Sequence, residues 1–208
     1  MQPQSSIELE IAENTYKRNL EEAEKLGRKE GMADAYGKLG TLSITLGNLD
    51  QAEDMFKKSL KMEEELANKE GMASDYGYLG TICQMRDDLE QAEAMFKKSL
   101  KINQDLGRKQ GISTVYGKLA EVYYARRDLD QAEAMFKKHL EMEERPDNQE
   151  ATAKIYGFLG DIYRLRLDFD QAEEMYTKSL QLFAFAGAGQ MVELMQEMLA
   201  NLKKRKVS

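Results

Sequence analysis

The chain repeats itself every 40 residues, and that period narrows its folding options more than any single motif does. The segments GMADAYGKLG, GMASDYGYLG, GISTVYGKLA and ATAKIYGFLG begin at Gly31, Gly71, Gly111 and Ala151. A second block keeps the same step: LDQAEDMFKKSL from Leu49, LEQAEAMFKKSL from Leu89, LDQAEAMFKKHL from Leu129 and FDQAEEMYTKSL from Phe169. A unit this short cannot bury an apolar face alone. Stacked copies bury it between them, so the period predicts a solenoid with one shared core.

Both blocks carry helical spacing. Ala52, Met55, Phe56, Leu60 and Met62 fall on one face of a helix, and Tyr36, Leu39, Gly40 and Leu42 lie close to one side of another. Asp50 with Glu53 has the spacing of a capping box, repeated as Glu90 with Glu93, Asp130 with Glu133 and Asp170 with Glu173. Glu53–Lys57 and Glu93–Lys97 stand four apart in the favourable order. Gly47-Asn48 marks the turn. Each unit therefore reads as helix A, turn, helix B and a link to the next A.

Composition removes several functions. Charged residues make up 32% of the 208 and are mixed in sign, with a net charge of -7 and a pI near 5.0. That balance argues against a wholly basic surface for nucleic acid. Cys83 is the single cysteine and His139 the single histidine, so neither an intrachain disulfide nor the usual zinc ligand sets can form. The N-terminal stretch has no signal-type apolar run, and nothing approaches the roughly 18 apolar residues of a membrane span. Gly187-Ala188-Gly189 lacks a following phosphate-loop lysine and reads as a helix stop. No nucleophile, base and electrophile converge. The expectation is a soluble cytoplasmic chain that is not an enzyme and needs no metal or cofactor.

The repeated positions resemble the tetratricopeptide repeat family. Helix A carries Tyr36, Tyr76, Tyr116 and Tyr156, then Leu39-Gly40, Leu79-Gly80, Leu119-Ala120 and Leu159-Gly160. The later aromatic is present as Tyr123 and Tyr163, but Ser43 and Cys83 replace it in the first two copies. Helix B carries Ala52 and Phe56, Ala92 and Phe96, Ala132 and Phe136, Ala172 and Tyr176. The period exceeds the usual length of about 34 residues and the closing proline is absent. Both departures are similar to the longer-repeat branch of kinesin light chain and the spindle-orientation adaptors.

The resemblance implies an all-α, right-handed solenoid of antiparallel helix hairpins with about ten helices, in one array over residues 1–208. Residues 5–28 align as a B-type helix, a cap or half repeat. Four repeats follow at 29–68, 69–108, 109–148 and 149–188, and 189–208 form a C-terminal capping helix. The implied function is a non-catalytic scaffold that binds a peptide or protein segment in a concave groove lined by the A helices. The inward positions map onto Lys38, Thr41, Ile44 and Thr45, then Tyr78, Thr81, Gln84 and Met85, then Lys118, Glu121 and Tyr124, then Phe158, Asp161, Arg164 and Leu165. They vary between copies while the packing positions repeat. Their mixture of aromatics and charges fits a partner segment with apolar anchors and charges of both signs.

Positions where the family often places asparagine hold Lys38, Tyr78, Lys118 and Phe158, so a carboxylate clamp is not expected. Gly37, Gly77, Gly117 and Gly157 fit either close approach of a ligand or tight helix packing. Arg86, Arg126 and Arg166 near the A-helix ends fit ion pairing with the neighbouring Asp87, Asp128 and Asp168. The chain could instead be a regulatory or sensory module of a larger signalling protein, or a self-assembling helical subunit. Met191, Val192, Leu194, Met195, Met198, Leu199 and Leu202 make the last helix apolar enough for weak self-association of an otherwise monomeric chain. Lys203, Lys204, Arg205 and Lys206 complement a helix C-terminus, and the run KKRKV also resembles a nuclear-import signal. Neither nucleic acid nor membrane is expected as a partner.

Overall fold

The computed structural model describes residues 3–142 and 149–206. Among them are ten helices and no strand. The helices are α1 (Pro3–Lys25), α2 (Lys29–Thr45), α3 (Leu49–Glu65), α4 (Lys69–Met85), α5 (Leu89–Asp105), α6 (Lys109–Ala125), α7 (Leu129–Met142), α8 (Gln149–Leu165), α9 (Phe169–Phe185) and α10 (Gly189–Lys206). The chain divides into two compact units, Met1–Val115 and Tyr116–Ser208, with the boundary inside α6. Pro146 lies outside the described residues.

The turns follow one pattern. After eight of these helices, α1 to α6, α8 and α9, the second residue takes a left-handed φ: Gly27, Gly47, Ala67, Asp87, Gly107, Arg127, Leu167 and Gly187, between 52° and 77°. The Gly47 N–H donates to Ile44 O at 2.9 Å and the Asn48 N–H to Ser43 O at 2.8 Å, a Schellman closure that satisfies the last carbonyls of α2. Asp88 N–H to Cys83 O at 2.9 Å repeats it after α4. Half of these turns therefore lack the glycine that Gly47-Asn48 led the sequence to show.

The caps also differ from the expected capping boxes. The side chains of Asn68, Asp88, Asp128 and Asp168 accept from the N–H of Gly71, Gln91, Gln131 and Gln171 at 3.1–3.3 Å. Asp50, Glu90, Asp130 and Asp170 already lie inside the first turn. The left-handed residue ends each turn sooner than the capping-box spacing assumed, so the residue after it becomes the cap. Asn48 and Arg28, the caps of α3 and α2, make no side-chain cap bond.

In the first unit, α2 and α3 close on Gly40. A Cβ there would sit 2.7 Å from the Phe56 ring, and the same holds for Gly80 against Phe96. This close contact explains the Leu-Gly pairs. Ala52 and Phe56 are fully buried, and with Leu79 and Ile82 they form a core cluster. Ser59 and Ser99 tie helix B back to helix A by donating to Ala33 O at 3.2 Å and Ala73 O at 2.7 Å. Lys58 and Lys98 lie 5.8 and 5.1 Å over the Tyr36 and Tyr76 rings. Arg86, at the end of α4, reaches Asp50 at 2.5 Å and also pairs with Glu53 on α3.

The second unit repeats these devices. Gly160 meets the Tyr176 ring, whose atoms would lie 2.6 Å from an added Cβ. Ser179 donates to Ala153 O at 2.8 Å. Lys138 and Lys178 cover the Tyr116 and Tyr156 rings at 5.4 and 5.5 Å. Arg166 pairs with Asp130 and Glu133 of α7. Arg86 and Arg166 therefore bridge to the preceding B helix, each over a span of more than thirty residues, and not to their neighbouring aspartates as the sequence had implied. In α10, Met195 and Leu202 are buried while Leu194 is exposed. Met191, Val192, Met198 and Leu199 are half-buried.

Candidate protein-binding cleft

Four helices of the first unit, α1 to α4, enclose a cleft of about 470 Å³. Leu9, Ala12 and Tyr16 form its α1 side; Gly37, Lys38, Thr41 and Thr45 come from α2. Phe56, Ser59 and Glu63 of α3 and Gly71, Ser74, Asp75 and Tyr78 of α4 complete it. The i, i+4 spacing of Gly37, Thr41 and Thr45 puts them in one row along α2.

Four expected positions of this unit, Lys38, Thr41, Thr45 and Tyr78, line the cleft together. Lys38 Nζ bonds Asp34 Oδ2 at 2.7 Å on its own helix, and that bond raises its pKa. The Thr41 and Thr45 hydroxyls donate back to Gly37 O and Thr41 O. Tyr78 is 40% exposed and stacks on Phe56 with ring centroids 4.5 Å apart. Of the others, Ile44 packs on the α3–α4 core. Thr81 donates to Gly77 O at 3.1 Å, Gln84 is half-buried and Met85 is exposed. None of these last four lines the cleft.

In the second unit the expected residues bind one another. Lys118 donates to Glu121 Oε2 at 3.1 Å. Asp161 accepts from Arg164 Nη2 and from the Tyr176 hydroxyl, both at 2.8 Å, and Arg164 Nε reaches that hydroxyl at 3.1 Å. Burial and this carboxylate hold the Tyr176 phenol well above its ordinary pKa. Phe158 stacks on Phe136 at 4.9 Å and meets Tyr124 edge-on at 5.5 Å. Leu165 is half-buried beside them in sequence. Lys38, Lys118 and Arg164, offered by the sequence as partners for foreign carboxylates, each hold a carboxylate of their own helix.

The four recurring glycines separate into three cases. A Cβ at Gly77 would meet nothing closer than Ser99 Oγ at 3.8 Å, and at Gly37 nothing closer than Ser59 Oγ at 3.9 Å. At Gly117 the His139 ring stands 2.7 Å away, so there the packing explanation holds. Gly157 is intermediate, with Ser179 Oγ at 3.5 Å.

Sequence reading missed the acidic floor of the cleft. Asp75 is only 5% exposed, and its Oδ2 has no hydrogen-bond partner among the described residues; Glu63 Oε2 is buried in the same condition. Burial, with the Glu63 charge adding to it, pushes the Asp75 carboxyl up to about 7 against the pull of Ser59. The signal was in the repeat register: Ala35, Val115 and Ile155 occupy the matching positions. Cys83 is half-buried, and burial raises its thiol pKa, which leaves it a poor nucleophile. Among the described residues no helix is long and apolar enough to cross a membrane.

Antiparallel hairpins at a fixed step, with a small residue of helix A seated on an aromatic of helix B, define a helical-repeat interaction scaffold. The chain belongs to the tetratricopeptide repeat family, whose model matches residues 31–105, 70–145 and 111–184. No curated protein matches it significantly. Solved structures share the fold. BtubC (BKLC) from P. vanneervenii is 20% identical over 96% of this chain and 92% of that one, with a TM-score of 0.70. A putative kinesin light chain of Podospora anserina with nearly identical repeats gives 12%, 89%, 91% and 0.70 on the same measures. PH0952 from Pyrococcus horikoshii, a STAND (Signal Transduction ATPase with Numerous Domains) protein with a tetratricopeptide repeat sensor, gives 17% identity and a TM-score of 0.76, over 90% of this chain and 31% of that one. The family marks the chain as a protein–protein interaction scaffold, and its fold is similar to that of the kinesin light chain repeats.

Proposed function

We propose that the chain binds a segment of another protein in the cleft between α1 and α4, as a non-catalytic adaptor. The observation that carries this reading is the cleft itself. It combines apolar and aromatic walls from Leu9, Tyr16, Phe56 and Tyr78 with a row of small polar residues on α2. Such a mixture suits an extended or helical segment with one or two apolar anchors. Tyr78 is held by its stack on Phe56, so it offers a rigid contact that loses little entropy on binding.

The test is capture from a lysate of the source organism with the parent chain and with a Thr41→Arg, Thr45→Arg double variant. Both threonines are exposed, so the arginines fill the cleft without opening the core. A partner retained by the parent and lost by the folded variant supports the reading. Equal retention by both removes the cleft from it.

A second reading rests on the likeness to the Pyrococcus protein, which carries a tetratricopeptide repeat sensor and of which the matched region is 31%. The array would then be a sensory module, and the cleft would take a segment of its own polypeptide. A covalently attached segment would protect the cleft at every protein concentration, which distinguishes it from a separate partner.

A further inference from the structure

The cleft floor carries a charge imbalance that the adaptor reading does not use. Its lining contains three carboxylates, Asp34, Glu63 and Asp75, and one cation, Lys38. Lys38 is committed to Asp34 at 2.7 Å. Glu63 and Asp75 remain, on facing helices, each with a buried oxygen that nothing among the described residues bonds.

Apolar solutions to the same seam are present elsewhere in the chain. The residue matching Asp75 is Ala35, Val115 or Ile155, and that matching Glu63 is Ala23, Asn103, Glu143 or Phe183; the apolar ones, Ala23, Ala35, Val115, Ile155 and Phe183, are all buried. A buried carboxyl with an unpartnered oxygen costs stability that valine would not. Ser59 gives little relief, because its hydroxyl also serves the Ala33 carbonyl.

The surroundings of the two acids are aromatic. Tyr78 stands three residues from Asp75 on the same face of α4, and Tyr16 lines the cleft from α1. Carboxylates at the floor and tyrosine rings on the walls suit a planar cation on an apolar stem. Arginine meets this better than lysine: its fork presents several donors at once, and its plane stacks on a ring.

We propose that the bound protein segment places one arginine side chain in this cleft, its guanidinium on Asp75 and Glu63 and its stem between Tyr16 and Tyr78. The inference rests on the adaptor reading and adds the chemistry of the residue recognised. Two carboxylates supply acceptors for both edges of the guanidinium. The arriving charge also ionises Asp75 readily at neutral pH, because its carboxyl is already poised there.

The experiment titrates the full ¹⁵N-labelled chain with N-acetyl-arginine amide, and with the citrulline analogue as a neutral probe of the same shape. The arginine probe is expected to shift the amides of Gly71, Asp75 and Tyr78 saturably in the millimolar range, with citrulline at least about tenfold weaker. Asp75→Val, which installs the residue found at Val115, is expected to abolish the shifts while melting no earlier than the parent. Glu63→Gln gives an independent loss should Asp75→Val fold poorly. Equal shifts from citrulline, or arginine shifts unchanged in either variant, overturn the proposal. Peptides selected from a random displayed library separate it from the adaptor reading. Binders without a basic residue that Thr41→Arg abolishes would leave the cleft intact and remove the arginine site.

Discussion

Substituting Asp75 by valine should stabilise the chain, and by more as the pH rises. Asp75 is almost completely buried, its carboxyl is pushed from 3.8 up to about 7, and the main cause is loss of hydration. Glu63 adds repulsion and Ser59 pulls the other way; Asp34 and Lys38, across the cleft, neutralise each other. The sign follows from proton linkage. Between the unfolded and folded pKa values the folded chain holds a proton that the unfolded chain has released, so stability falls as pH climbs from about 4 to about 7. Each pH unit in that window is worth about 1.4 kcal/mol, so moving from about pH 5 to about pH 8 costs the parent about 3 kcal/mol at this group. Valine at position 75 has nothing to ionise. Urea unfolding of parent and variant at both pH values isolates the group, because all other titrations cancel in the difference. The stability gap should widen by about 3 kcal/mol at the higher pH, and Asp75→Asn should show the same loss of pH dependence. A gap of equal size at the two pH values would refute the burial argument.

Other substitutions test the packing and the turns. Gly40→Ala should destabilise by about 1–3 kcal/mol, since the new Cβ would lie 2.7 Å from the stacked Phe56 ring. Gly77→Ala should do the reverse by up to about 1 kcal/mol, because the nearest atom is Ser99 Oγ at 3.8 Å; thermal melts of the pair give the two signs. Leu167 holds φ +64° and is 70% exposed, so Leu167→Gly should gain about 1 kcal/mol by relieving the left-handed strain. Burial opposes the charge on Glu133, yet hydrogen bonds from Lys137, Tyr163 and Arg166 hold its pKa down to about 2. Its contribution is therefore present above about pH 4.5 and is lost as pH falls through about 2. Glu133→Gln should cost about 2 kcal/mol near neutral pH and progressively less on acidification, measured by denaturant midpoints.

The helices and their buried faces were legible because four copies repeat the same apolar spacing, and Phe56, Phe96, Phe136 and Tyr176 are buried where that spacing put them. The turns were half legible. Glycine marks some of them, but Ala67, Arg127 and Leu167 take the left-handed conformation without a local preference for it. Closure bonds to the preceding helix and the packing of the next one outweigh a cost of one to two kcal/mol. The caps slipped by two residues for a related reason: Asp88 and Glu90 both have a capping side chain, and only the end of the preceding turn decides between them.

At the cleft, variation between copies drew attention to the A helices but gave no view of pairing. Whether Arg164 is available depends on Asp161 and on Tyr176 twelve residues away, and that contact exists only once α8 and α9 are packed. Asp75 was hidden in a chain rich in acids. Its meaning comes from burial, which sets it apart from the solvated Glu64 and Glu65 nearby.

The most direct measurement is an amide shift map of the full chain with a peptide selected on it from a random displayed library. The shifts are expected to concentrate at Gly37, Thr41, Thr45, Gly71 and Tyr78, and Thr41→Arg is expected to abolish both binding and shifts. Shifts confined to α10, or binding that survives Thr41→Arg unchanged, would contradict this expectation and move the interaction surface away from the α1–α4 cleft.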